Sequence, residues 1–212
     1  MSSYLDPFAT STNLKAQAIA LPIFSSLSIV LIISPLIWHF RNKNVAACTL
    51  IGWLILSNLF TFINAIIWPN EDFQSWWKGT GLCDVEAKLI QPIYTGIPCA
   101  VVCITRNLAR VLRIDSANLY TTKKQRRRML TIDCLILFTV PFLQLVLHYL
   151  IQTNRYFIIA VGGCAPSFDE SWPTIVIMYI PPQVFALIAC YYCGKSFRLK
   201  SLIKLTNPII QL

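Results

Sequence analysis

The sequence predicts an all-α fold, a polytopic membrane helix bundle, and three observations predict it. Hydrophobic residues make up 56% of the 212 residues and charged residues only 13%, about half the charge of an ordinary globular domain. The mean hydropathy is +0.59. Residues 16–38, 45–68, 135–151 and 174–193 each run without an Asp, Glu, Lys or Arg. A helix needs about 20 apolar residues to cross a hydrocarbon core of about 30 Å, so these runs read as membrane spans. A soluble enzyme and a disordered tail are both excluded.

Residues 1–15 form an N-terminal tail ahead of the first span, 16–38. That first apolar run is too long for a typical signal-peptide core and has no basic stretch before it, so it is expected to insert and stay as an anchor. The second span, 45–68, follows a short basic loop. The third, 89–111, holds Arg106 and Arg110 close enough to its end for their long side chains to reach headgroups. The fourth covers 130–151 and the fifth 172–193. A basic tail, 194–212, closes the chain.

The placement of charge predicts orientation. One side, made of 39–44, 106–133 and the tail from 194, carries fourteen Lys and Arg against two acids, Asp115 and Asp133. The other side carries four Lys and Arg against seven acids. The net charge of +9 is therefore +12 on one side and −3 on the other, so it is not a nucleic-acid footprint. The positive-inside rule puts the N-terminus outside the cell and the C-terminus in the cytoplasm.

Eight prolines fall within the spans: Pro22, Pro35, Pro92, Pro98, Pro141, Pro173, Pro181 and Pro182. Pro173 sits at a helix start, where proline is tolerated. The others remove backbone hydrogen bonds and should bend or locally rewind their helices, either simply because membrane helices tolerate proline or to shape a ligand cavity. The polar residues Asn58, Asn64, Gln91, Gln144, His148 and Gln183 suit interhelical hydrogen bonds. A proton or ion path usually carries carboxylates at mid-membrane, and none lies there. His39 and His148 are expected at opposite faces and cannot share a metal. Neither an H-E-x-x-H pair nor a phosphate-cradling glycine loop is present. No catalytic activity, metal or cofactor is expected.

Of eight cysteines, only Cys83 and Cys164 fall on the predicted outer side, where a bridge and two free thiols are both open readings. The other six lie in the spans or at their ends and behave as small hydrophobes; Cys190 and Cys193 are a candidate palmitoylation pair. On the predicted inner side, Arg106, Arg110 and Arg113 share one helical face. Lys123, Lys124, Arg126, Arg127 and Arg128 form a near-continuous run before the fourth span. These cations suit topology and anionic lipid. They also suit docking of an acidic cytoplasmic partner, for which Arg106, Arg110, Arg113, Arg126, Arg127 and Arg128 are the candidate contacts.

Several segments in order resemble the fungal mating-pheromone receptors of the a-factor-receptor type, G-protein-coupled receptors of class D. Pro35-Leu36-Ile37-Trp38-His39-Phe40-Arg41-Asn42 is similar to the family's P-x-x-W-H-x-R-N segment. Trp53, Asn58 and the run Phe62-Ile63-Asn64-Ala65-Ile66-Ile67-Trp68 continue the likeness, followed by Gly81-Leu82-Cys83-Asp84. Pro98-Cys99-Ala100-Val101-Val102-Cys103-Ile104-Thr105-Arg106-Asn107-Leu108 resembles the P-A-x-x-x-C-I-x-R-x-L run. Leu147-His148-Tyr149-Leu150-Ile151-Gln152, Arg155-Tyr156 and Gly163-Cys164-Ala165-Pro166 complete it, and Pro181-Pro182 resembles the basidiomycete branch.

The resemblance implies a plasma-membrane receptor for a lipid-modified (farnesylated) peptide pheromone, signalling through a heterotrimeric G protein, with a receptor dimer as a further assembly. It also implies the Cys83–Cys164 bridge. Two departures accompany it. Phe157, Ala160 and Val161 stand where the family usually carries acidic residues. The family's fold has seven spans, so a chain of five is expected to be a truncated form, with signalling impaired. A non-signalling five-span partner or regulator, and a small transporter or scaffold, are the alternatives. No ligand-contact residue is singled out.

Overall fold

The computed structural model describes residues 7–113, 123–169 and 171–206. In chain order these hold α1 (Pro7–Arg41), α2 (Val45–Ile67), α3 (Leu82–Arg113), α4 (Lys123–Cys134), α5 (Val140–Ile151), the strands β1 (Phe157–Ile159) and β2 (Gly163–Ala165), α6 (Trp172–Thr174) and α7 (Ile180–Thr206). A π-helical turn, Leu135–Thr139, joins α4 to α5, and a second, Ile175–Tyr179, joins α6 to α7. Five rods result that are long and apolar enough to cross a membrane: Leu14–Arg41, Val45–Ile67, Leu82–Leu112, Lys123–Ile151 and Trp172–Ser201.

The rods overrun the predicted spans because hydropathy reports the apolar run, whereas a helix continues for as long as its backbone bonds do. Asp84, Glu86 and Lys88 interrupt the apolar run ahead of residue 89, yet α3 already begins at Leu82. Likewise α4 begins in the basic run at Lys123. Between α1 and α2 the chain reverses through Lys43, at φ +54°, with the Asn44 N–H donating to the His39 carbonyl at 3.0 Å. The Asn44 side chain then caps α2 by accepting from the Ala47 N–H at 3.3 Å.

Helix α3 is the central and most buried rod, and α1 is the most peripheral. The α3 helix packs on α2, α5 and, over its longest contact, α7, while α1 leans on α2. Small side chains on α3 permit this: Ala87, Cys99, Ala100, Cys103 and Ala109 are all buried. Close backbone approach is how helices associate where lipid removes the hydrophobic drive. Ala46, Ala100, Cys103 and Leu137 form one core cluster where α2, α3 and the first π turn meet. At Gly96 a Cβ would collide with the Trp53 indole, so glycine there sets how closely α2 and α3 approach.

Both π turns precede proline. Pro141 follows the first and Pro181-Pro182 the second. A proline ring presses on the carbonyl four residues back and offers it no N–H; widening the turn relieves the pressure. Pro181 and Pro182 leave the carbonyls of Ile177 and Met178 without their α-helical donors. The Gln144 amide donates to the Ile177 carbonyl at 2.7 Å, and the Gln91 amide donates to the Met178 carbonyl at 2.8 Å. The double proline is thereby stitched to α5 and α3.

Candidate functional site

The two ends of the bundle differ in chemistry. At the end reached by Ile67, Leu82, Ile151 and Trp172, the chain builds a hairpin and a disulfide. Strands β1 and β2 pair antiparallel, with Ile158 opposite Cys164. Cys164 is bonded to Cys83 on the first turn of α3, with Cα atoms 5.1 Å apart. Trp68, Cys83 and Cys164 form a buried cluster, packed by Ile67, Trp76, Leu82, Tyr156 and Ile158. The Trp68 indole N–H donates to the Trp77 carbonyl at 3.1 Å, and the Tyr156 hydroxyl donates to the Lys78 carbonyl at 2.9 Å. Two glycines are required here: Gly79 (φ +66°), where a Cβ would strike the Cys83 sulfur, and Gly163 (φ +77°), where it would strike the Asn64 side chain.

Beneath this hairpin, between α3 and the fifth rod, lies a cleft of about 1180 Å³. Tyr94 and Pro98 of α3 form one wall and Trp172, Ile175 and Tyr179 the other, with Phe157 and Pro166 above. The lining is mostly apolar, and besides the tyrosines its polar members are Gln91, Asp169, Ser171, Thr174 and Gln183. A large apolar cleft with a few convergent polar groups is the usual form of a small-ligand site. A smaller cleft of about 430 Å³, lined by Trp53, Pro92, Leu137 and Phe142, opens between α2, α3 and the fourth rod.

The opposite end is basic, and the predicted arginines divide there. Arg106 does not extend to a surface contact. It forms an ion pair with Asp133 in which the two side chains are only 11% and 6% exposed, and Asn107 donates to the second Asp133 oxygen at 3.0 Å. Its guanidinium, with Asn107, thus ties α3 to α4. Arg110 is half-buried, with Nη1 enclosed and unpaired. The Arg113 side chain and Asp115 lie outside the described residues. Arg126, Arg127 and Arg128 are exposed, together with Lys123 and Lys124. Five cations in the first two turns of α4 stand at the positive end of its helix dipole, an arrangement that favours a bound anionic surface.

The remaining polar span residues sort by partner. Asn58 donates to Leu54 on its own helix, Gln183 faces the cleft, and His148 is buried against Phe168 with neither ring nitrogen bonded. Glu86 is buried at 2% exposure. It was legible in the sequence only as one acid of an outer loop, because the helix start at Leu82 is what turns it inward.

Residues 20–205 match the pheromone A receptor family. Over 168 residues the chain is 33% identical to the pheromone a factor receptor of Saccharomyces cerevisiae, covering 78% of this chain and 35% of the relative. It is 31% identical to the pheromone B beta 1 receptor of Schizophyllum commune over 77% of this chain and 29% of the relative. With pheromone receptor 1 of Ustilago hordei it shares 30% identity over 84% of this chain and 48% of the relative. The chain thus spans from 29% to 48% of the length of these relatives. With residues 20–205 of 212 matched, a range that takes in most of all five rods, the chain belongs to the pheromone A receptor family.

Proposed function

We propose that this chain forms the pheromone-binding part of a mating receptor of the plasma membrane, with the hairpin end outside the cell and the basic end in the cytoplasm. The observation that carries the proposal is the 1180 Å³ apolar cleft roofed by a disulfide-anchored hairpin. Its walls offer a lipid-modified peptide what it needs. The lipid tail gains about 0.8 kcal/mol per buried CH₂, and the peptide part finds Gln91, Gln183 and the hairpin backbone. The charge asymmetry of +12 against −3 supports the orientation. The exposed Arg126, Arg127 and Arg128 supply a docking face for the acidic surface of a heterotrimeric G protein, and the exposed apolar side of α1, including Phe24, Leu27 and Leu31, a face for a second receptor copy.

A photoreactive farnesylated peptide tests the ligand assignment on the full chain in membranes. Label is expected on Phe157, Trp172 or Tyr179 and is displaced by farnesylated peptide but not by the same peptide without its lipid. Label confined to the smaller cleft around Trp53 and Phe142, or indifferent to the lipid, refutes the assignment. In a seven-span receptor that carries these five spans, charge reversal, Arg126→Glu with Arg127→Glu and Arg128→Glu, is expected to weaken G-protein coupling while leaving orientation unchanged by cysteine accessibility. Intact coupling with altered orientation reduces the run to a topology signal.

A further inference from the structure

Beside the cleft lies a second, polar cavity of about 140 Å³, sharing Ile90, Tyr94 and Gly162 with it. Its polar wall comes from Ser57, Thr61 and Asn64, which recur at helical spacing on one face of α2, and from Glu86 of α3. Glu86 and Asn64 are each 2% exposed. The Asn64 amide donates to one Glu86 oxygen at 2.5 Å and to the Gly162 carbonyl at 3.2 Å. Both partners are acceptors, so the NH₂ must face them and the Asn64 oxygen must face away. The second Glu86 oxygen and the Asn64 oxygen are then both buried and unbonded.

A buried carboxylate without a counter-charge is costly by several kcal/mol. Neighbouring cations do not answer it: Lys88 reaches the Tyr149 hydroxyl at 2.6 Å, and Arg155 sits 3.4 Å from Asp84. Among the described residues no Lys or Arg pairs with Glu86. The geometry points to a binding site for a monovalent cation, held by the free Glu86 and Asn64 oxygens with the Ser57 and Thr61 hydroxyls beside them. One carboxylate among neutral oxygens balances a single positive charge, whereas hard divalent ions seek six or more oxygens, more than one of them usually carboxylate. The shared chemistry is a small cation, either a free sodium ion or an ammonium group borne by a ligand in the adjoining cleft. This site does not rest on the pheromone assignment, because its readout needs no pheromone.

The test is the thermal midpoint of the full chain in detergent, at constant ionic strength, in sodium chloride, methylammonium chloride or the bulky N-methyl-D-glucamine chloride. Sodium at tenfold excess over its Kd is expected to raise the midpoint by roughly 3–6 °C over N-methyl-D-glucamine, and Glu86→Gln is expected to abolish the difference. A shift with methylammonium but not sodium assigns the site to an organic ammonium. Should Glu86→Gln fail to fold, Ser57→Ala is expected to raise the half-saturating concentration severalfold. Equal midpoints in all three salts overturn the proposal and leave Glu86 a neutral, protonated acid. A cation effect that survives Glu86→Gln, or is untouched by Ser57→Ala where Glu86→Gln does not fold, also overturns it.

Discussion

Replacing Gln91 with leucine tests whether side-chain amides stabilise the proline-interrupted fifth rod. The substitution keeps the volume roughly constant and removes the 2.8 Å hydrogen bond to the Met178 carbonyl. Interhelical hydrogen bonds in membranes average about 0.6 kcal/mol and reach about 1.7, while a buried carbonyl left unpaired costs about 1–3 kcal/mol. Met178 is 1% exposed and Pro182 supplies no donor, so the upper range applies, and Gln91→Leu should cost about 1.5–2 kcal/mol. In a domain of this length that is a loss of roughly 3–8 °C in Tm. Gln144→Leu should cost less, because the Gln144 carbonyl oxygen is itself buried and unpaired and disappears with it. The decisive comparison uses Pro182→Ala, which restores an N–H to the interrupted turn. In that background Gln91→Leu should lose at least half its effect, a coupling of about 1 kcal/mol between residues on different helices. Unfolding can be followed with a thiol-reactive dye, since Cys99 and Cys103 are buried while Cys190 and Cys193 supply a constant baseline. An equal penalty for Gln91→Leu with and without Pro182 refutes the reasoning.

Three further outcomes follow from the geometry. Gly163→Ala should cost at least 2 kcal/mol, about 1–2 from the left-handed backbone and the rest from a Cβ driven into Asn64; a change in Tm of under 2 °C would show that the hairpin shifts freely. Alkylation of the denatured chain should modify six thiols before reduction and all eight after it, and replacing Cys83 and Cys164 together by serine should destabilise by about 2–5 kcal/mol. Asp133→Asn should cost about 3–5 kcal/mol by stranding the Arg106 charge, and adding Arg106→Gln should recover most of it; melting of the two variants side by side decides, and no recovery would mean that the pair is not the source of the loss.

Much of the architecture was legible because hydropathy is a property that adds along the chain. Each apolar run independently meets the thickness requirement, and the charges between runs sum by side regardless of packing. The cysteines could be narrowed to one outer pair by the same arithmetic. Prolines marked where helices must deviate, but not how. That the carbonyls freed by Pro181 and Pro182 are met by the amides of Gln91 and Gln144 follows from packing between distant helices, and the spacing from proline to carbonyl marks the need without naming the donor.

The sequence by itself determined the fold class, the five spans and the charge contrast between the two ends, since each is set by local composition against the bilayer. Only the tertiary structure decided which polar residues meet. The rotation of α3 about its axis brings Arg106 onto Asp133, and the early start of α3 at Leu82 places Glu86 on a helix, in a cavity facing Asn64. The approach of α3 to the fifth rod opens the cleft beneath the hairpin. Axial rotation and relative depth of helices are set by side-chain interlocking across distant segments, a pairwise quantity that no single run of residues contains.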